Sequence, residues 1–338
     1  MKSVVIGCGR MGVRHIQVLQ SMNYNLVGAL DLSEASLENL VTQKLATKDQ
    51  TFTNASQMFA KVKPQLAIIA TTAPTHLEYV EQAVKAGVKY ILCEKPLATS
   101  LADCQKMVDL CEKNGVKLAV NHQMRFMEQY TAIQKLVKDT NCGEVKSIQV
   151  SAGNFGIAMN GCHYFEMLRF ILGEYPQKVS AWFSKEEVPN PRGKQFKDHA
   201  GSIRIETKSG KRFYMEASAD QGHGVTVTYV TKFGQIFVDE LLGHMYINYR
   251  HPESEPAPTT RYGQPAKTEV RTIAGADILK STGAVIEALV AGENYPSGKD
   301  GLMAVKTLVA AHMSNEQNGK AINLTDEKME TERVFPWA

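Results

Sequence analysis

The sequence predicts an α/β domain with a doubly wound parallel sheet, followed by an α+β domain. Three observations carry this. A β-branched run, a glycine-rich turn and an amphipathic segment open the chain between Lys2 and Leu19. Short apolar runs then alternate with helix-period segments as far as Val120, the pattern of repeated β-α units that build a parallel sheet. Beyond that point, period-two runs joined by tight turns dominate. The 338 residues exceed one ordinary core of roughly 100 to 200 residues. We therefore expect two domains, 1–120 and 121–338.

Each element of the first domain has a local reason. Lys2 to Ile6 reads as a strand, and Gly7-Cys8-Gly9-Arg10-Met11-Gly12 as a turn leading into a helix whose apolar residues include Val13, Ile16, Val18 and Leu19. Gly7 permits the tight turn, Gly9 lets the backbone approach a pyrophosphate, and Gly12 lets the helix pack closely on the strand. A second strand, Asn25 to Leu30, ends at Asp31, 31 − 12 = 19 positions after Gly12. That matches the roughly 20 expected for an acid binding the adenosine ribose. Asp31 is followed by Leu32 and Ser33 rather than arginine, and its charge would repel a ribose 2′-phosphate, which favours NAD over NADP. The alternation continues with a helix from about Ser33, a strand Leu66 to Ala70, a helix Pro74 to Ala86 and a strand Tyr90 to Cys93. A helix with Ser100 and Asp103 in capping-box positions follows, and the strand Lys117 to Val120 closes the domain.

Composition narrows the function classes. Thirty-eight basic and 35 acidic side chains are interspersed to a net charge of +3, without the basic stripe a nucleic-acid backbone requires. The apolar runs are too short for a signal-peptide core or a membrane span. Six scattered cysteines read as reduced thiols of a soluble, cytoplasmic protein, and their spacing offers no metal site.

Cys93-Glu94-Lys95-Pro96-Leu97-Ala98 stands at the carboxyl edge of the predicted sheet, where ligands of such folds collect. This segment, the glycine loop, Ala70-Thr71-Thr72-Ala73-Pro74-Thr75-His76 and Asn121-His122-Gln123-Met124-Arg125-Phe126 together resemble the Gfo/Idh/MocA family of glucose-fructose oxidoreductases and inositol dehydrogenases. His163 to Gly173 is similar to the family's His-x-x-Asp helix ending in Leu-Gly, and Gly292 to Pro296 with Lys299-Asp300-Gly301 to its closing segment. The resemblance implies a Rossmann domain followed by a domain on an open, mostly antiparallel sheet that carries the substrate site. It also implies a homodimer or homotetramer.

The later sequence agrees. Ser202 to Glu206 alternates, Lys208-Ser209-Gly210 turns, and Arg212 to Ala217 returns, with further strands at Val225 to Thr231, Gln235 to Asp239 and His244 to Tyr249. Pro252, Pro256, Pro258 and Pro265 mark a long loop.

By resemblance, NAD would be held by Gly7, Gly9, Arg10, Met11, Gly12 and Asp31, by Thr71, Thr72 and His76, by Glu94, Lys95 and Pro96, and by Gln123. Lys95 and His163 would be catalytic, and Arg125, Met159 and Glu166 would touch a carbohydrate-like substrate. Oxidising a secondary alcohol needs a proton acceptor for the hydroxyl and the reverse reaction a donor, which a desolvated lysine supplies. One position departs from the family pattern: four residues before His163, where an aspartate is usual, stands Met159. Asn160 is offset by one, and Tyr164 is a conceivable substitute. The favoured reading is an NAD-dependent sugar or cyclitol dehydrogenase. The alternatives are an NAD-binding regulatory or scaffold protein and a glycosidase using transiently reduced NAD.

Overall fold

The computed structural model describes residues 1–139, 142–218, 220–258, 266–325 and 329–337, and the chain divides into two units. The first comprises Met1–Gln123, Asp277–Val305 and Glu330–Ala338. Its strands are β1 (Lys2–Ile6), β2 (Asn25–Leu30), β3 (Thr51–Phe52), β4 (Leu66–Ile69), β5 (Tyr90–Cys93) and β6 (Lys117–Val120). They form one sheet in the order β3-β2-β1-β4-β5-β6, every pair parallel. Helices α1 (Arg10–Ser21), α2 (Glu34–Thr42), α3 (Ala55–Val62), α4 (His76–Lys85) and α5 (Leu101–Lys113) connect them.

A parallel sheet covered on both faces needs continuous apolar strands. Accordingly Val4 to Ile6, Leu66 to Ile69 and Ile91 to Cys93 are all buried. The helices start where side chains supply acceptors: Ser33, Asn54 and Ser100 each accept a backbone N–H of the first turn that follows. The order of strands reverses at β1 and β4, so the crevice at the carboxyl ends of these two is the expected ligand position.

The single cut at 120/121 gives way to a chain that returns. Helix α8 (Ile278–Ala291) packs on α1, β5 and β6 and buries Val285, Ile286 and Leu289. The closing segment follows it into the first unit, where the Val120 N–H donates to the Pro296 carbonyl at 2.8 Å. These are apolar, non-local contacts that no local spacing announces. Helix α9 (Gly298–Glu316) passes from one unit into the other.

The second unit, Met124–Ala276 with Lys306–Met329, is built on a nine-stranded sheet. It contains α6 (Glu128–Asp139), β7 (Val145–Gly153), α7 (Cys162–Leu172), β8 (Pro176–Glu187), β9 (His199–Thr207), β10 (Arg212–Ser218), β11 (Val225–Thr231), β12 (Gly234–Asp239), β13 (His244–Arg250), β14 (Ala266–Thr272) and β15 (Ile322–Asn323). Eight neighbours join these strands in the order β14-β13-β12-β11-β7-β10-β9-β8-β15, and only β7 with β10 is parallel. The mostly antiparallel sheet is therefore observed. Strands β7, β8 and β14 lie outside the runs read from sequence, and β14 begins directly after the proline-rich loop, of which Pro265 is outside the described residues.

One face of this sheet is apolar, and α7 covers it: Phe165 meets Phe213 edge-on with ring centroids 6.1 Å apart. The helix stops at Gly173, whose φ of 70° closes its C-terminus. Glu174 then ties that end to the β9–β10 turn. Its carboxylate accepts the Ser209 hydroxyl at 2.7 Å and the Ser209 N–H at 3.2 Å. Burial works against ionisation of Glu174, but hydrogen bonds from Ser209, Thr207 and Lys211 outweigh it and lower its pKa from 4.5 to about 2. A carboxyl depressed in the folded state contributes stability that is present above pH 4.5 and is lost as pH falls towards 2. Urea midpoints at pH 7 and pH 3 should consequently differ less in Glu174→Gln than in the wild type. An equal acid loss in both would remove Glu174 from the acid limb.

Candidate functional site

The turn after β1 has the geometry of an anion cradle. Gly7 has φ of 88°, and a Cβ there would stand 2.8 Å from the backbone of Ala70 and Thr71, at the end of β4. A Cβ on Gly12 would meet the Gly7 carbonyl oxygen at 1.9 Å, so only glycine lets α1 approach the strand this closely. At Gly9 the reverse holds: an added Cβ meets nothing within 4 Å. That space lies at the N-terminus of α1, which has no side-chain cap and no acidic residue in its first turn. Uncapped N–H groups and the positive end of the helix dipole both call for an anionic ligand. Arg10 is exposed beside this opening and Met11 half-buried.

Asp31 stands at the end of β2. Its Oδ2 accepts the Cys8 N–H at 2.6 Å and its Oδ1 accepts the Ser33 N–H at 2.8 Å. The carboxylate thus fixes the glycine turn and faces the same crevice end. Cys8 is itself buried, and burial together with the charge of Asp31 pushes its thiol up to about 12, so it packs rather than reacts.

Glu94 is a buried hub. Its Oε1 lies 2.8 Å from His15 Nε2 and accepts the Asn121 amide at 2.8 Å, while its Oε2 accepts the Lys95 N–H at 3.4 Å. Burial alone would raise the Glu94 carboxyl; the hydrogen bond and charge of His15, the charge of Lys95 and the Asn121 amide outweigh it and hold it well below the usual carboxylate range. As an anion it fixes the proton of His15 on Nε2. His15 sits on α1, one turn beyond the glycine loop, so the carboxylate ties this uncapped helix to the loop that carries Lys95. Neither His15 nor Asn121 was singled out from the sequence; His15 falls on the apolar face of α1, and that burial is the available signal.

From Glu94 to Ser100 every residue is buried except Lys95, which is half-buried. The Lys95–Pro96 peptide is cis. His76 is fully buried: Nδ1 lies 3.0 Å from the Leu97 carbonyl and Nε2 3.2 Å from the Thr71 carbonyl. It joins the loops after β4 and β5 instead of projecting into the crevice, as the cofactor role expected for it would require. Thr71 and Thr72 are half-buried, with the Thr71 hydroxyl accepting from Thr75 at 2.8 Å. Gln123, after β6, keeps a buried Oε1 without a hydrogen-bond partner among the described residues, an acceptor available to a ligand. The empty space at Gly9, the uncapped α1 and this orphaned oxygen fit a dinucleotide.

In the second unit, His163 opens α7 and is buried. A π-helical turn, Ile157–Gly161, leads into it. Asp198 holds that turn: its Oδ1 accepts the Ala158 N–H at 2.7 Å and its Oδ2 the Met159 N–H at 2.8 Å. A Cβ on Gly156 would come within 2.0 Å of the Asp198 carboxylate, so glycine is required there. Arg125 and Glu166 form an ion pair in which Arg125 Nε donates to Glu166 Oε1 at 2.9 Å, their side chains 2% and 0% exposed. Both charges are spent largely on each other. Tyr164 is turned to Glu240, donating to its carboxylate at 2.7 Å.

Fold and site together define a Rossmann-type dinucleotide-binding protein with a second unit on a mixed, mostly antiparallel sheet. Residues 1–122 match the oxidoreductase family with the NAD-binding Rossmann fold, Gfo/Idh/MocA. Among relatives, it is 28% identical over 196 residues to the D-apiose dehydrogenase of Paraburkholderia graminis, a match covering 53% of this chain and 52% of that one. It spans about half the length of that relative. To the inositol 2-dehydrogenase of Rhizobium meliloti it is 25% identical over 327 residues, covering 91% of this chain and 94% of the other. An oxidoreductase from Agrobacterium radiobacter, crystallised with NAD+, L-tartaric acid and magnesium, has the same fold, with a TM-score of 0.80 at 20% identity over 96% and 98% of the two chains. No helix among the described residues is long and apolar enough to cross a membrane, and none of their acidic, histidine and cysteine side chains group to hold a metal.

The two glycines make opposite predictions. Gly9→Ala should leave the melting temperature unchanged, because its methyl meets only open space, and should weaken NADH binding about tenfold by entering the anion cradle. Gly12→Ala should lower the melting temperature whether or not cofactor is present. Thermal scans and NADH fluorescence titrations of both variants separate the two effects.

Proposed function

We propose that the protein is an NAD-dependent oxidoreductase that moves a hydride between nicotinamide and a secondary hydroxyl or ketone of a sugar, nucleotide-sugar or cyclitol. The observation that carries this reading is Lys95, the one residue of a buried carboxyl-edge loop left half-buried beside the Glu94 hub. The names of the relatives, D-apiose dehydrogenase and inositol 2-dehydrogenase, support a polyhydroxylated substrate.

When bound, the dinucleotide accepts or returns the hydride. The chain supplies everything else. The turn of Gly7, Gly9 and Gly12 receives the pyrophosphate at α1, and Asp31 binds the ribose. Lys95 hydrogen-bonds the reacting oxygen and moves its proton, with His163 assisting. Arg125, Met159 and Glu166 take part in substrate recognition, Arg125 and Glu166 as a neutralised pair and Met159 as the half-buried member. The buried free thiols of Cys8, Cys93, Cys104 and Cys111 support a reducing, cytoplasmic setting. Exposed Trp182, Tyr246 and Val270 in the sheet of the second unit support assembly into a homodimer or homotetramer.

Asp31 is the basis for preferring NAD. Each of its oxygens accepts one backbone N–H, which leaves one lone pair on each for a vicinal diol. A ribose 2′-phosphate loses such a charge-assisted contact, worth about 1.5 to 3 kcal/mol, or roughly ten- to a hundredfold in affinity. Fluorescence titration with NADH and NADPH should show that difference; equal binding of the two would reject the assignment.

For the chemistry, Lys95→Met keeps the side-chain length and removes the transferable proton. It should cut turnover by roughly 10² to 10⁴ while NADH affinity stays near that of the wild type. His163→Asn should lower kcat less. NADH absorbance with myo-inositol, D-apiose and UDP-sugars finds the substrate, and single-turnover transfer then compares the variants. Wild-type transfer by Lys95→Met would overturn the mechanism.

A further inference from the structure

The loop that carries Lys95 is held from outside by a strap of chain from Glu330 to Trp337, remote from it in sequence and absent from every motif described above. The Phe335 N–H donates to the Thr99 carbonyl at 2.9 Å, and the Ala102 N–H, in the first turn of α5, donates to the Thr331 carbonyl at 2.9 Å. These two bonds straddle Ser100, whose hydroxyl caps α5 by accepting the Asp103 N–H at 3.1 Å. The strap is anchored by its aromatic rings. Phe335 and Trp337 are each only 2% exposed and stack with centroids 4.5 Å apart at 11°. Arg333 lies over the Phe335 ring at 4.6 Å, on the side chain's way to Glu330. Val334 and Pro336, on either side of Phe335, are exposed, so Phe335 and Trp337 are the buried side chains of the strap.

We infer that Phe335 and Trp337 are positioning residues for Lys95: the strap fixes the loop 97–102 from one side, as His76 does at Leu97 and Glu94 does at the Lys95 N–H from the other. This rests on the proton-transfer role proposed for Lys95. The physical argument is one of degrees of freedom. Between β5 and α5 the chain runs for seven residues, of which Glu94 still donates its N–H to the Ile69 carbonyl of β4 at 2.9 Å, and the contacts at Lys95, Leu97, Thr99 and Ala102 hold the rest. A loop sewn at its far end through Thr99 and Ala102 transmits slack in the strap to the lysine ammonium, and small misplacement of a reacting group is costly in rate. A contact serving stability alone would leave the lysine's environment as it was.

The test reads Lys95 directly. Acetic anhydride pulses followed by mass spectrometry give the labelling rate of Lys95 relative to exposed Lys85. Trp337→Ala should raise that ratio about fivefold by admitting local opening, and Trp337→Phe, which keeps a stacking ring, should restore it. Once a substrate is in hand, Trp337→Ala should lower kcat by roughly ten- to a hundredfold with KM for NAD+ little changed, and Trp337→Phe should recover it. A folded Trp337→Ala protein with unchanged labelling, or with unchanged kcat, overturns the inference. Should that variant fail to fold, hydrogen exchange on the unaltered chain decides. The Phe335 and Ala102 amides and the 95–101 peptide should open together, whereas a loop protected more than about tenfold longer than Phe335 overturns the coupling. Labelling and exchange need no substrate, so a failed substrate search counts against the oxidoreductase reading and leaves these outcomes to judge the strap.

Discussion

A buried carboxylate obliges its surroundings to supply donors, and Glu94 imposes that obligation on three parts of the first unit at once. His15 comes from α1, Asn121 from the end of β6, and the Lys95 N–H from the loop itself. Removing one partner from such a buried charged group costs about 3 to 5 kcal/mol, a large part of a domain's stability. The three segments therefore cannot drift independently. The helix with the uncapped N-terminus and the loop that presents Lys95 share one hydrogen-bonded centre, and the register between the glycine turn and the lysine is a consequence of it.

What could be read from the sequence was what the chain encodes locally. The glycines at 7, 9 and 12 act through backbone sterics, and the structure shows a positive φ at Gly7, open space at Gly9 and a close helix–strand approach at Gly12. Five strands of the first sheet were legible because burial leaves apolar runs, whereas β3, two half-buried residues, was not read. Less legible were residues whose partners are far along the chain. His15 looks like any position on an amphipathic helix, and His76 like a ligand-facing polar residue, until Glu94 and the Thr71 and Leu97 carbonyls are placed beside them. The return of α8 and of the strap to the first unit rests on apolar burial of Val285, Ile286, Phe335 and Trp337, which has no sequence period long enough to declare itself.

The second unit shows the same division. Alternation in β9 and β10 was readable because Ile203, Ile205, Phe213 and Met215 face inwards while Arg204 and Glu216 do not. Strand β7 was not, for it carries Ser147 at a buried position and pairs in parallel with a strand that follows it by some sixty residues. A parallel partner requires a long crossover, here one that includes α7 and the β8–β9 pair, and no turn signal marks it.

Position 159 brings these threads together. The family pattern leads one to look for an aspartate on the turn before His163, and the side chain there is methionine. Yet the first N–H groups of a helix have no acceptors within it, and burying them without partners is unfavourable. The chain meets this need from a distance: Asp198, just before β9, places one oxygen on the Ala158 N–H and the other on the Met159 N–H. Gly156 is left without a side chain where that carboxylate passes. A negative charge at the positive end of the helix is also the favourable sign for the dipole. The carboxylate thus reaches the backbone of the very residue whose side chain lacks one. Its bonds hold the turn that leads into α7 and His163, while the side chain at 159 is a methionine.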